Sequence, residues 1–394
     1  MHRVLVAGAG PAGCSAAIAL RVRGHEVVVA DGATRDEKPC GGGIPWRGQR
    51  EFADLLAGIP RREVFGARVR LDDDPDVVVP LGRPLAIFSR AALDSALLGH
   101  ASAAGARVVA ARAADLVATA RGFACDVGGD TIECDYLVAA DGAGSPTARR
   151  LESIGKLARR EAAADAVSLS TYVPGRKEQE IRLAFRRGVC GYAWSFPRID
   201  HVEVGVCVER DAAEVRSLDL WLDDVLADWF GAGAETTGRV GALIPGHAPH
   251  ATSAAVEGER CARVGDAAGS VDPITREGIS FALRCGTLLG ECDAPAVPGA
   301  YRRAFRASLG EELARASRLR AVFFDPTFQA ATLGMLAASG RLREVFADLV
   351  SGVQPYATLR RRLVRTAPWI LPSWALASMR PRPAATQRRA APNR

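Results

Sequence analysis

Gly8-Ala9-Gly10-Pro11-Ala12-Gly13 sets three glycines at the spacing of a nucleotide-binding turn. The apolar run from Arg3 to Ala7 precedes it and an Ala-rich segment follows, which is the strand–turn–helix context such a turn requires. Gly8 permits the tight turn, Gly10 lets the backbone approach a pyrophosphate and Gly13 allows close helix packing, with Ala12 counted among the cofactor contacts. Free N–H groups at the positive end of the helix favour the phosphate charge. Asp31 stands at the end of the next apolar run, where its carboxylate can accept hydrogen bonds from ribose hydroxyls. These residues alone do not separate FAD from NAD. Further on, Cys40 leads into Gly41-Gly42-Gly43, a loop free to approach a ligand closely. A thiol with an ordinary pKa of about 8.5 is mostly protonated at neutral pH and can deliver a proton to a carbanion. The alternative for Cys40 is a small buried hydrophobe. Tyr192, Trp194 and Phe196 alternate on one strand face ahead of Pro197, as a wall for a flat apolar ligand or as core packing.

Positioning these groups takes a βαβ opening: strand to Ala7, helix from Pro11 to Val22, strand from Glu26 to Ala30. A helix from Ser89 to Ala104 leads into a strand from Arg107 to Ala111. Runs at 124–127 and 131–134 read as a hairpin around Gly128 and Gly129, and another strand, Tyr136 to Ala140, ends at Asp141. The middle of the chain is strand after strand, at 166–173, 180–185, 192–196 and 202–208, which implies an antiparallel sheet in a second unit. A strand at 261–264 and a helix from Glu277 to Gly290 return to the α/β style. The expected fold is α/β, with a Rossmann-like cofactor-binding domain that is discontinuous over residues 1–60, 85–160 and 255–325. Residues 61–84 and 161–254 form the antiparallel-sheet substrate domain, 326–379 a C-terminal helical region and 380–394 a disordered basic tail.

Bulk properties narrow the function classes. The 394 residues are 48% apolar and 24% charged, an ordinary globular balance with room for two cores. Lys and Arg outnumber Asp and Glu by only 51 to 45, spread along the chain, so no nucleic-acid partner is expected. Nine cysteines without a CxxC pair suggest neither a disulfide framework nor a metal site, and fit reduced thiols in a cytoplasmic protein. No secretory signal opens the chain. The most apolar late stretch, Ala367 to Ala377, is too short to span a bilayer and contains Pro368 and Pro372. Its Trp369 and Trp374, followed by Arg380, Arg382, Arg388 and Arg389, suit a peripheral membrane contact, or else a helix end and a solvated tail.

Three later segments decide the cofactor. Ser89-Arg90 with Leu93 and Asp94, then Leu137 to Ala143, then Arg263-Val264-Gly265-Asp266-Ala267-Ala268-Gly269, resemble the fingerprints of p-hydroxybenzoate-hydroxylase-like flavoproteins in order and spacing. The resemblance implies FAD, with Arg90 on its pyrophosphate, Asp141 and Gly142 lining it, Asp266 on its ribityl chain, and Gly265, Gly278 and Ile279 in the same site. Lys38-Pro39-Cys40-Gly41-Gly42-Gly43-Ile44-Pro45, Tyr192-Ala193-Trp194-Ser195-Phe196-Pro197, and Asp348 to Gly352 with Tyr356 and Leu359 are similar, more narrowly, to the geranylgeranyl reductase family. That likeness implies an FAD-dependent oxidoreductase reducing carbon–carbon double bonds of a prenyl lipid with NAD(P)H as donor. It places Cys40, Gly41 and Gly42 near the flavin, with Cys40 or an ordered water as proton source, and Tyr192, Trp194, Phe196 and Pro197 along an apolar or aromatic substrate. A flavin-dependent monooxygenase or halogenase acting on a small natural product is the alternative, and an electron carrier without turnover a third. Two positions depart from the family pattern: Arg276 stands where Gly is usual before Glu277-Gly278, and Val189 where Pro often stands.

Overall fold

The computed structural model describes residues 1–366, apart from 35, 162–164, 177, 211–216 and 249–252. The segment 367–377 and the tail 380–394 lie outside the described residues. Arg3–Ala7 and Glu26–Ala30 each bury four successive residues, the signature of strands covered on both faces. They pair in parallel and sit inside a six-stranded sheet, flanked by Tyr136–Ala139, Cys261–Arg263 and Glu257–Gly258 on one side and Arg107–Val109 on the other. Helix Pro11–Val22 opens on a proline at its first turn, where the missing N–H costs nothing. It packs against Ile279–Glu291 through small residues. A Cβ added at Gly286 would stand 2.2 Å from the Ala12 carbonyl oxygen and 2.2 Å from Ser15 Oγ.

An eight-stranded sheet forms the second layer, in the order Val240–Ile244, Ala166–Pro174, His201–Glu209, Gly191–Pro197, Ile181–Phe185, Arg61–Leu71, Val77–Phe88 and Gly43–Ile44. The expected antiparallel pattern holds except at one pair, where Ile181–Phe185 runs parallel to Arg61–Leu71. The reason is connectivity: Arg61–Phe88 is an early hairpin, bulged between Val64 and Gly66, that meets strands laid down much later. Gly43–Ile44 extends this sheet by pairing with Ala86 and Ile87, so the loop after Cys40 leaves the six-stranded sheet and becomes an edge of the other. Ala113–Ala118, Phe123–Val127 and Asp130–Cys134 make a small three-stranded sheet, one strand more than the expected hairpin.

Helix Leu218–Phe230, which has no counterpart in the sequence reading, covers one face of the large sheet with Trp221, Leu222 and Trp229 against Val202, Val204 and Val206. The other face is covered by Glu311–Phe323, Pro326–Ala338 and Gly340–Val350, the last two capped by Asp325 and Ser339. Residues 356–366 are also helical. Among the described residues no helix is long and apolar enough to cross a membrane.

The Gly286 contact gives a direct test of the packing. Gly286→Ala forces the two helices apart, and the denaturation midpoint should fall by an amount equivalent to about 1–3 kcal/mol, the usual range for overpacking. An unchanged midpoint would mean that the pair can separate freely.

Candidate cofactor and substrate cavity

A single continuous cavity of about 1090 Å³ runs from the glycine turn to the C-terminal helices. Its nucleotide end is lined by Gly8, Gly10, Ala12, Asp31, Arg90, Asp141, Asp266, Gly278 and Ile279. Cys40, Gly41 and Gly42 line it at mid-length, and Tyr192, Trp194 and Phe196 line the apolar end. Three expected residues stand outside the lining. Gly13 and Gly265 lie beneath it as packing positions: a Cβ at Gly13 would sit 1.9 Å from the Gly8 carbonyl oxygen, and one at Gly265 2.7 Å from Ala12 Cβ. Pro197 is displaced by strand period, since it faces away from the side that carries Tyr192, Trp194 and Phe196.

The glycine turn has the shape of a nucleotide cradle. Gly8 has a φ of 103°, and a Cβ there would lie 2.4 Å from the Ala140 carbonyl oxygen, while nothing approaches the Gly10 Cβ position within 4 Å. Asp266 is deep in the cavity wall, its carboxyl pushed up by burial against the fields of Arg90, Lys38 and Arg160. Such a carboxyl is ready to meet hydroxyl donors. These features fit the ADP and ribityl portions of FAD. Asp141 has a local task as well, accepting from Ser145 Oγ and, at 2.9 Å, from Thr147 N to cap helix Pro146–Ser153.

Around Cys40 the structure brings together charges from segments far apart in the chain. Arg90 forks onto Asp94, with Nη2 to Oδ1 at 3.1 Å, and Lys38 Nζ reaches Asp94 Oδ2 at 2.5 Å. Burial lowers the Arg90 pKa, but the charge of Asp94 and the adjoining Cys40 thiol outweigh it and raise the group above its ordinary value. Arg90 thus stands beside the thiol as well as on the cavity wall. Glu37 accepts from Arg90 N at 2.7 Å and from Ser89 Oγ at 2.6 Å, capping helix Arg90–Ala103. The fully buried Arg198 pairs with Glu37 and donates from Nη2 to the Cys40 carbonyl. Burial brings Arg198 down to about 10, opposed by the negative fields of Glu203 and Asp200.

The segment from Asp272 to Glu277 closes the far side. Asp272 Oδ1 accepts from Ile274 N at 2.8 Å and Thr275 N at 2.9 Å, Tyr356 donates to Asp272 at 3.1 Å, and Tyr192 donates to the Thr275 carbonyl at 2.5 Å. Arg276 adopts a φ of 57°, the left-handed conformation that a glycine would take without strain. Arg198, Glu37, Asp272 and Glu277 lie outside the sequence-based list of site residues. Only the neighbouring motifs could have pointed to them, since Arg198 follows Pro197 and Glu37 precedes Lys38.

A nucleotide cradle joined to an apolar chamber, with a thiol where they meet, defines an FAD-dependent oxidoreductase. Comparison with known proteins narrows the class. The chain belongs to the geranylgeranyl reductase family. It is 30% identical over 317 residues to a menaquinone reductase of Mycobacterium tuberculosis, covering 73% of this chain and 75% of that one. It is 29% identical over 356 residues to a digeranylgeranylglycerophospholipid reductase of Methanothrix thermoacetophila, covering 81% and 87%. A family model described as lycopene cyclase protein matches residues 3–160. Among solved structures, a geranylgeranyl bacteriochlorophyll reductase-like protein from Thermoplasma acidophilum shares the fold, with a TM-score of 0.73 and 18% identity over 95% of this chain and 99% of that one.

Glu277 makes the site sensitive to pH. Burial raises its carboxyl from an ordinary 4.5 to about 7, although Ser280 N donates to it at 2.8 Å. Between those values the unfolded chain releases a proton that the folded chain retains, so stability falls as pH rises through this window. The fall from this residue is about 3 kcal/mol at most. Glu277→Gln should therefore flatten the decline in denaturation free energy between pH 4.5 and 7 in flavin-stripped protein. Parallel pH curves for the two proteins would count against the buried acid.

Proposed function

We propose that this enzyme reduces carbon–carbon double bonds of a prenyl lipid, with NAD(P)H as electron donor and Cys40 as proton donor. The observation that carries the reading is the continuity of the cavity: an apolar chamber walled by Leu183, Phe185, Tyr192, Phe323 and Phe346 opens onto the nucleotide cradle at Cys40. A chamber of that lining favours a long hydrocarbon, and the relatives reported above carry the names of reductases of prenylated molecules. The residues that would hold the cofactor are Gly8, Gly10, Ala12, Asp31, Arg90, Asp141, Asp266, Gly278 and Ile279. Bound FAD supplies the hydride equivalent, two electrons at a time, taken from the nicotinamide donor.

The chain's own residues do the rest. Tyr192, Trp194 and Phe196 hold the alkene against the loop and keep water out of the chamber. Cys40 Sγ gives its proton to the alkene carbon opposite the one that accepts hydride, so one carbon–carbon π bond is lost and two C–H bonds form. The thiolate left behind stands beside the Arg90 guanidinium until solvent returns a proton.

Denatured holoprotein should release FAD rather than FMN, because the glycine turn and Asp31 address the adenosine half that FMN lacks. Recovery of FMN alone would refute the cradle assignment.

Anaerobic incubation with a prenylated lipid and NAD(P)H should add two mass units per double bond. Oxygen consumption with an aromatic substrate, and no such gain, would overturn the reading. Cys40→Ser should keep FAD and its reduction by the nicotinamide donor, yet slow the alkene step by about 10²–10⁴, the usual range for a lost general acid. An unmodified alkene rate in that variant would assign the proton to another source.

A further inference from the structure

The two motifs that mark the substrate end, the Cys40 loop and the strand Gly191–Pro197, meet through one residue that belongs to neither. Arg198 follows the strand directly, and only 1% of its surface is exposed. Its guanidinium donates to the carbonyl of Cys40, pairs with Glu37, lies in the field of the buried Glu203, and stacks 5.8 Å from the Tyr172 ring centre. Its backbone is pinned too, since Arg198 N donates to the His201 carbonyl at 2.8 Å and Arg62 Nε donates to the Arg198 carbonyl at 2.9 Å. A guanidinium that cannot move fixes whatever it holds.

Glu37 carries the same constraint round to the thiol. It caps the helix Arg90–Ala103, whose first residue sets its guanidinium beside Cys40 Sγ. The carbonyl of Cys40 is therefore held by one arginine and its thiol faced by another, with a single carboxylate joining the two. The glycines make this seating possible. A Cβ at Gly42 would come within 2.1 Å of the Phe88 carbonyl oxygen, and one at Gly41 within 2.9 Å of the Phe196 ring, so the loop lies flush on the strand only without side chains.

We infer that Arg198 is a positioning residue for Cys40, setting the thiol at the junction of the cofactor and substrate ends through its hydrogen bond to the Cys40 carbonyl and its pair with Glu37. The inference rests on the reading of Cys40 as proton donor, but its test separates the two. FAD-loaded Arg198→Gln, Arg198→Lys and Glu37→Gln proteins are compared for the rate of iodoacetamide alkylation at the Cys40 peptide, for the alkene step after flavin reduction, and for lipid Kd. In Arg198→Gln, alkylation should rise about tenfold and the alkene step should slow by about 10–100-fold, with lipid Kd and flavin reduction within about threefold of the unmodified protein, because displacement by an ångström is enough to lose such a factor. Lysine, which keeps the charge and a donating nitrogen but not the fork, should recover part of both losses. Glu37→Gln should move both readouts in the same direction by less, and it carries the test alone if the Arg198 variants do not fold.

Superimposable alkylation and alkene rates in all the FAD-loaded variants would overturn the inference. So would a loss spread equally over Kd and rate that lysine does not relieve, which would mark a purely structural arginine. If Cys40→Ser reduces alkenes normally, the donor reading fails while the alkylation rates still report whether Arg198 seats the loop.

Discussion

The absence of side chains between Cys40 and Ile44 is the constraint on which the two sheets' relation depends. Here the chain leaves the nucleotide sheet and adds Gly43–Ile44 to the edge of the other, with Phe88 N donating to the Gly42 carbonyl at 2.9 Å. Gly42 sits at a φ of 72° against the Phe88 carbonyl and Gly41 against the Phe196 ring, so a β-carbon at either place would lift the loop off the strand. Lifting the loop would open the cavity at mid-length and carry Cys40 away from Arg90. A close backbone approach thus couples the glycine-turn end of the cavity to its aromatic end before any polar contact is considered.

The charges gathered at that junction are tolerable because each has a partner. Asp94 is 1% exposed, a position where a lone carboxylate would be costly, yet Arg90 and Lys38 both reach it. Removing one member of such a pair typically costs about 3–5 kcal/mol, because the other is left buried and uncompensated. Arg198 is placed alike, between Glu37 and Glu203, and Glu203 also receives the indole N–H of Trp194. The same buried network therefore orients an aromatic wall of the chamber and the backbone of the thiol loop. A polar network of this kind fixes one arrangement of the site where an apolar core would accept several.

Local rules made part of this legible in the sequence. Helix Pro11–Val22 and strand Glu26–Ala30 follow from proline at a first turn, uninterrupted apolar runs and glycine spacing, all read within a few residues. The positions of Tyr192, Trp194 and Phe196 on one face follow from strand period, which also predicts that Pro197 turns away. Arg198 was illegible for the opposite reason. Its partners Glu37 and Cys40 are more than 150 residues earlier, and an arginine after a strand looks like a solvated end. Residues 61–84 read as part of the antiparallel-sheet unit, but the two strands of the hairpin Arg61–Phe88 were not legible one by one, because of the bulge and the charged residues at its outward positions. Helix Leu218–Phe230 did carry a readable signal, since Leu218, Trp221, Leu222, Val225 and Trp229 recur at helical spacing, but the run of strands before it suggested more of the same.

Arg276 shows how a departure from a family pattern is absorbed. A non-glycine residue in the left-handed region costs about 1–2 kcal/mol. The backbone around it leaves no alternative, because Arg276 N donates to the Asp272 carbonyl at 2.9 Å, Tyr192 holds the Thr275 carbonyl, and Tyr356 holds Asp272. The turn that a glycine would take freely is imposed here by its neighbours on both sides. The side chain then decides which end of the cavity feels the substitution. The positive field of Arg276 acts on Cys190, Tyr192 and Cys207, in each case opposing the upward pull of burial; Tyr192 and Cys207 lie in the eight-stranded sheet and Cys190 directly precedes it. Gly278, two residues on, keeps its place in the cavity lining. Arg276 consequently alters the electrostatics of the apolar chamber and leaves the glycine turn as it is.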